Sequence, residues 1–275
     1  MTKRGSPNFT PAVLLQTRSN MKKILMCFVF AASVWADTHA APISFQSGKI
    51  QVSLLELYTS EGCSSCPPAE SWLARLKDSP DLWKKFAPMA FHVDYWDSSK
   101  WKDRWSSPEF TERQRAYADA WKSDEIYTPC FVLNGKEWHG WFMHQGIPGI
   151  SDDEVGVLAV SSTDTNYWRA TFIPAKPSSF GYEIHAALLA GGLNSDVTAG
   201  ENSGRHLQHE FAVLNLVQIG MTTSNGVAKG RFILDTPRFG PEKIMAMTVW
   251  VTRVGELEPL QATGGWLISP ADPAR

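Results

Sequence analysis

An apolar run, Leu54-Leu55-Glu56-Leu57-Tyr58, is broken by Glu61-Gly62, and two cysteines follow at once, Cys63 and Cys66. Pro67-Pro68 comes next, then Ala69-Glu70-Ser71-Trp72-Leu73-Ala74-Arg75-Leu76, in which Trp72, Leu73 and Leu76 fall at helical spacing. A buried strand, a tight turn, a Cys-x-x-Cys pair and a helix in this order leave few architectures open. A helix N-terminus beside a thiol stabilises the thiolate and lowers its pKa. Such a thiolate attacks disulfides, and the second cysteine of the pair resolves the mixed disulfide. On this reading Cys63 is an exposed nucleophile at the helix start, and Cys66 is the resolving thiol one turn inside.

The rest of the chain divides by its patterning. Residues 50–58 read as a central strand, 67–78 as a helix and 79–86 as a second, shorter one. Met89-Ala90-Phe91-His92-Val93 is a buried strand ending in Asp94-Tyr95-Trp96-Asp97, and Ser107-Pro108-Glu109 opens a helix to about Trp121. Phe131-Val132-Leu133 is a third strand, and Asn134-Gly135 is the strongest hairpin turn signal in the chain. From about Val155 the segments 165–173, 180–189, 210–220, 227–234 and 243–253 alternate in polarity between Gly, Pro and Asn clusters, as in an antiparallel sandwich. The expected fold class is therefore α/β over residues 48–153, followed by an antiparallel, sandwich-like β-rich module over 155–270.

The N-terminal 40 residues read as a non-native extension, residues 1–20, and a signal peptide. Met21-Lys22-Lys23 gives a charged start, residues 24–34 an apolar run, and Thr38-His39-Ala40-Ala41 a small-residue cleavage point after Ala40. The apolar run falls short of the roughly 20 residues a membrane span needs. The expectation is an exported chain, periplasmic or secreted, with no stable membrane span in its mature form. If Cys27 leaves with the leader, Cys63, Cys66 and Cys130 remain, an odd number that suits chemistry better than a stapled scaffold. With 26 Lys and Arg against 28 Asp and Glu and no basic stripe, nothing points to nucleic acid.

A Cys-x-x-Cys is also half of a zinc site, but a structural site needs four ligands. The histidines His92, His139, His144, His185, His206 and His209 are scattered, and only His206 and His209 are spaced like a ligand pair. No metal and no organic cofactor is expected. Thr128-Pro129, just before a strand, has the placement of a cis-proline facing the dithiol, where the Thr128 backbone would pair with an incoming chain. Glu56 and Asp94 are carboxylates that either assist proton transfer to the resolving thiol or brace neighbouring elements. Cys130 is either a third thiol within reach of the pair or a small buried hydrophobe.

Leu57-Tyr58-Thr59-Ser60-Glu61-Gly62-Cys63-Ser64-Ser65-Cys66-Pro67-Pro68-Ala69, His92-Val93-Asp94-Tyr95-Trp96-Asp97, Trp101-Lys102-Asp103, Thr111-Glu112-Arg113-Gln114-Arg115-Ala116-Tyr117 and Tyr127-Thr128-Pro129 with Asn134-Gly135 resemble the secreted thioredoxin-like family catalogued as domain of unknown function 1223. Gly200-Glu201-Asn202-Ser203-Gly204-Arg205 resembles the C-terminal portion of that family. The resemblance implies a thioredoxin-like domain with a β-rich extension, export, and thiol–disulfide exchange through Cys63 and Cys66, with Thr128 and Pro129 shaping the substrate surface. Many members carry Gln or Gly where this chain has Cys130, and Ser64-Ser65 between the cysteines leaves the redox direction open. The partner implied is a redox protein or a small disulfide. The alternative is a non-catalytic binding or assembly module stapled by a Cys63–Cys66 disulfide.

Overall fold

The computed structural model describes residues 43–143, 151–162, 166–176, 178–235 and 244–268. The leader-like segment, Cys27 and His144 lie outside them.

The strand anticipated before the cysteines is β2 (Ser53–Thr59), preceded in the chain by β1 (Ile43–Gln46), which joins another sheet. Every residue of β2 is buried, as a strand covered on both faces must be. Helix α1 (Cys66–Ala74) runs on into a 3-10 turn, Arg75–Asp78. The second short helix expected over 79–86 is absent: turns lead directly into β3 (Phe86–His92), parallel to β2. Helix α2 (Pro108–Trp121) begins where the sequence places it, its Ser107 side chain accepting from the Glu109 N–H and Pro108 filling a first-turn position that needs no donor. The hairpin of β4 (Cys130–Leu133) and β5 (Lys136–Glu137) turns at Asn134 and Gly135, both with positive φ, as a two-residue hairpin turn requires.

The later strands are β6 (Gly156–Ser162), β7 (Tyr167–Pro174), β8 (Tyr182–Gly191), β9 (Leu193–Asp196), β10 (His206–His209), β11 (Ala212–Gly220), β12 (Thr222–Ser224), β13 (Val227–Ile233), β14 (Ile244–Arg253) and β15 (Gln261–Ile268). They form a five-stranded sheet in the order β1-β6-β7-β13-β12, the β10-β9 ribbon, and half of an eight-stranded sheet in the order β15-β14-β8-β11-β3-β2-β4-β5.

This arrangement corrects the expected fold class. The described residues are mostly β, fifteen strands to two α-helices, and do not make a thioredoxin-like α/β domain trailed by a separate sandwich. Strands from both sides of the anticipated 153/155 boundary share one sheet. The junction is the parallel pair β3–β11, where the Ala90 N–H donates to the Phe211 carbonyl at 2.9 Å. An unpaired β3 edge would expose backbone donors and acceptors, and β11 meets that edge at Ala90. Beyond the junction, β8 and β14 bury one face against β6, β7 and β13 in a second core built on Trp168, Phe172, Leu188, Met247 and Val249.

Alternation along β2 then sets the two faces of the sheet centre. Glu56 and Tyr58 face α2, while Leu57 and Thr59 face α1 and lie beside Ala90 and His92 of β3. Among the described residues no helix is long and apolar enough to cross a membrane.

Candidate functional site

Helix α1 starts at Cys66 itself, with Ser65 as its N-cap, so Cys63 stands three residues before the helix. Pro67 and Pro68 have no N–H, and two of the donors a helix start usually offers an anion are missing. The Cys63 thiolate is stabilised by side chains instead. The hydrogen bond from Cys66 is the largest influence, burial opposes it, and the Ser65 hydroxyl at 3.3 Å adds to it, lowering the Cys63 pKa to about 6. Burial and the neighbouring Cys63 push the Cys66 thiol strongly upward. The pair is thus polarised as exchange chemistry requires, one thiol ionised near neutral pH and the other held protonated.

Cys63 is not the exposed residue expected: it is 1 % exposed. Gly62 explains part of this, since a Cβ there would lie 2.9 Å from Cβ of Trp96, so the turn packs directly on that side chain. The Thr128–Pro129 bond is cis, and the Thr128 carbonyl accepts from the Cys63 thiol at 3.7 Å, so the sequence pairing of these two loops holds in space. The Trp96 indole N–H donates to the Thr128 hydroxyl at 2.8 Å. Next to this junction opens a cavity of about 1000 Å³ lined by Ser65, Trp72, Thr128, Pro129, Trp141 and Phe142 among others.

The remaining predicted residues lie apart from the dithiol chemistry. Glu56 accepts from Arg113 Nε and Nη2 at 2.7 and 3.0 Å, from Tyr117 at 2.6 Å and from Tyr58 at 3.1 Å. With both oxygens fully engaged it braces α2 against β2. The Asp94 N–H donates to the Thr111 hydroxyl, which donates back to Asp94 Oδ1, tying the end of β3 to α2. Of the two roles considered for these carboxylates, the contacts are those of bracing. Cys130 is buried at the start of β4 opposite Tyr58, and burial pushes its pKa up to about 12.

Two features escaped the sequence reading. The Gly200–Arg205 turn clamps the cysteine loop from the far end of the chain. Asn202, fully buried, donates both amide hydrogens, to the carbonyls of Glu61 at 2.9 Å and Cys63 at 2.8 Å, while Glu201 accepts from the Ser64 N–H and hydroxyl. Beneath that loop lies a buried cluster of Glu61, Glu70, His92, Asp103 and His209. His209 contacts Glu70 through Nδ1 at 2.5 Å and Glu61 through Nε2 at 3.1 Å, and His92 Nδ1 contacts Asp103 at 2.7 Å. Burial disfavours a charge on His209, but Glu70 and Glu61 outweigh it and its pKa rises to about 10. Burial likewise opposes the charge on Asp103, and His92 outweighs it, holding that carboxyl at about 2. His206 and His209 do not form the pair their spacing suggests. Three positions apart on a strand they face opposite ways, His206 outward to Asp196 and His209 inward.

The family model described as "Protein of unknown function (DUF1223)" matches residues 54–252. No curated protein matches the chain. Its fold is similar to the crystal structure of a structural-genomics target from Agrobacterium tumefaciens, at 20% identity and a TM-score of 0.53 over 79% of this chain and 95% of that one. It is also similar to HBP35 of Porphyromonas gingivalis, at 14% identity and a TM-score of 0.52 over 80% of this chain and 76% of that one.

Proposed function

We propose, from the premise that the chain belongs to the family described as protein of unknown function DUF1223, that Cys63 and Cys66 carry out thiol–disulfide exchange on a protein or small disulfide. The observation that carries this reading is the opposed polarisation of two adjacent thiols beside the Thr128 carbonyl and an open apolar cavity. The Cys63 thiolate attacks one sulfur of the substrate disulfide, forming a mixed disulfide and releasing one substrate thiolate. Cys66 then attacks Cys63, closing the intramolecular bridge and releasing the second thiolate. The Cys66 proton ends on a released thiolate, and two electrons pass from the dithiol to the substrate. The reverse sequence oxidises a substrate dithiol. The leader-like residues 21–40 support placing this chemistry outside the cytoplasm, in the periplasm or secreted, where disulfides persist.

The burial of Cys63 favours a second reading, a binding module in which the Cys63–Cys66 bridge is permanent. The reduction potential of the pair separates the two, titrated in glutathione buffers with Cys130→Ser as control. A value between about −120 and −270 mV is expected for an exchange protein, and a bridge that stays oxidised below about −300 mV overturns the enzyme reading.

A further inference from the structure

The buried cluster beneath the cysteine loop has the makings of a second site. One donor atom from each of Glu70, His92 and His209 lies within 4.8 Å of the others, and all three residues are buried. Two ligand atoms at about 2.0–2.1 Å from one ion sit roughly 3–4 Å apart, so only a small contraction separates this set from a shared centre. Each of the three is also held from behind. Asp103 Oδ2 takes the Nδ1 side of His92, Glu61 Oε1 takes the Nε2 side of His209, and the Thr59 hydroxyl donates to Glu70 Oε1 at 2.6 Å. Carboxylates on the outer nitrogens of two imidazoles fix ring orientation in the way metal-ligating histidines are fixed.

An independent observation points to a missing partner. Among the described residues, His92 Nε2 and Glu61 Oε2 are buried polar atoms without a hydrogen-bond partner. His92 is fully buried and Glu61 is 1 % exposed, so neither atom reaches bulk water. With Asp103 fixing Nδ1 of His92, Nε2 is the ring nitrogen left over.

We propose that Glu70, His92 and His209 form a binding site for one divalent transition-metal ion of the zinc class, with Glu61 holding His209 from its outer nitrogen. Two imidazoles and a carboxylate select such an ion over magnesium or calcium, which take oxygen ligands. The site is closed to solvent, which makes the ion a brace rather than a reacting centre. It would join helix α1 through Glu70, strand β3 through His92 and strand β10 through His209, and Glu61, on the outer nitrogen of His209, would link the cysteine loop to it. The proposal stands or falls separately from the exchange reaction, because no cysteine belongs to the ligand set.

The test uses the full chain purified without chelators, then dialysed against Co2+ as a spectroscopic stand-in for zinc. The expected result is one Co2+ per chain with visible ligand-field absorption. That signal persists in the Cys63→Ser/Cys66→Ser/Cys130→Ser triple variant, disappears in Glu70→Gln and His209→Gln, and rises together with the melting temperature. If either single variant fails to fold, the wild-type stoichiometry and the cysteine-free variant still decide the matter. No bound Co2+ on folded wild-type protein overturns the proposal. So does binding that survives Glu70→Gln but is lost with the cysteines.

Discussion

A buried cluster of charge lies on each side of strand β2, and the two are built to opposite ends. On the α2 face, Glu56, Arg113, Tyr117 and Tyr58 close on themselves: both carboxylate oxygens are engaged, and the guanidinium also lies 5.1 Å from the centre of the Trp250 ring. On the α1 face, Glu61, Glu70, His92, Asp103 and His209 leave two buried polar atoms, Glu61 Oε2 and His92 Nε2, without a hydrogen-bond partner. Both clusters cost desolvation, and only the first offsets it entirely from its own residues. A closed network is a brace. One with unpartnered buried atoms leaves bonding capacity for a ligand, and the Cys63–Cys66 loop stands above it.

The largest expected effect breaks the closed side. Arg113→Met strands a fully buried carboxylate with two tyrosine donors, and removal of one partner from such a pair costs about 3–5 kcal/mol. Urea denaturation of the reduced protein measures it. Glu56→Leu combined with Arg113→Met recovers most of the loss, because two apolar groups of similar shape need no partners. A single variant as stable as wild type would show that α2 is not held by this pair, and the contrast between the faces would fail.

A smaller effect sharpens the open side. Asn202→Ala leaves the buried carbonyl of Glu61 without its donor, that of Cys63 with only the Cys66 N–H, and the Arg205 side chain without its acceptor. Unsatisfied buried groups of this kind cost about 1–3 kcal/mol. The loss should concentrate in the cysteine loop, so hydrogen exchange at residues 61–66 accelerates more than exchange in β2. Uniform acceleration would mean that the turn at 200–205 supports the whole sheet rather than the loop.

The two faces were unequally legible in the sequence, for a physical reason. The β2 strand, the Ser107 cap of α2 and the Asn134-Gly135 turn are written in local spacing, and each forms where that spacing puts it. The cysteine pair and the Thr128–Pro129 turn could be matched because their motifs are compact. The open cluster joins residues 139 and 148 positions apart, His209 to Glu70 and to Glu61, and no local pattern carries such a contact. The clue available was the alternation of β10, which turns Leu207 and His209 inward and leaves His206 outside. A histidine on an inward position needs a partner, and the strand pairing of β3 with β11 brings one. That same pairing is why a thioredoxin-like α/β domain followed by a β-rich module was the wrong fold class: apolar alternation marks strands without saying which sheet they join.

The smallest effect on the fold, and the most local, is expected at the dithiol itself. If the hydrogen bond from Cys66 is what chiefly holds Cys63 ionised, then Cys66→Ala raises the Cys63 pKa from about 6 toward the ordinary thiol value, whereas Cys66→Ser keeps a donor and keeps most of the shift. The sign is fixed by which species is nucleophilic. Below the pKa Cys63 is a neutral thiol and reacts slowly, and above it the thiolate reacts. Near pH 7 the thiolate fraction would fall from about 90 % to about 3 % if the pKa returned to roughly 8.5. Iodoacetamide alkylation followed from pH 5 to 9, with Cys130→Ser as background, reads the midpoint directly. A midpoint near 6 in both variants would put the stabilisation in Ser65 and the loop backbone instead. Helix α1 would then contribute to the chemistry by holding that loop, because Pro67 and Pro68 have already removed its leading donors.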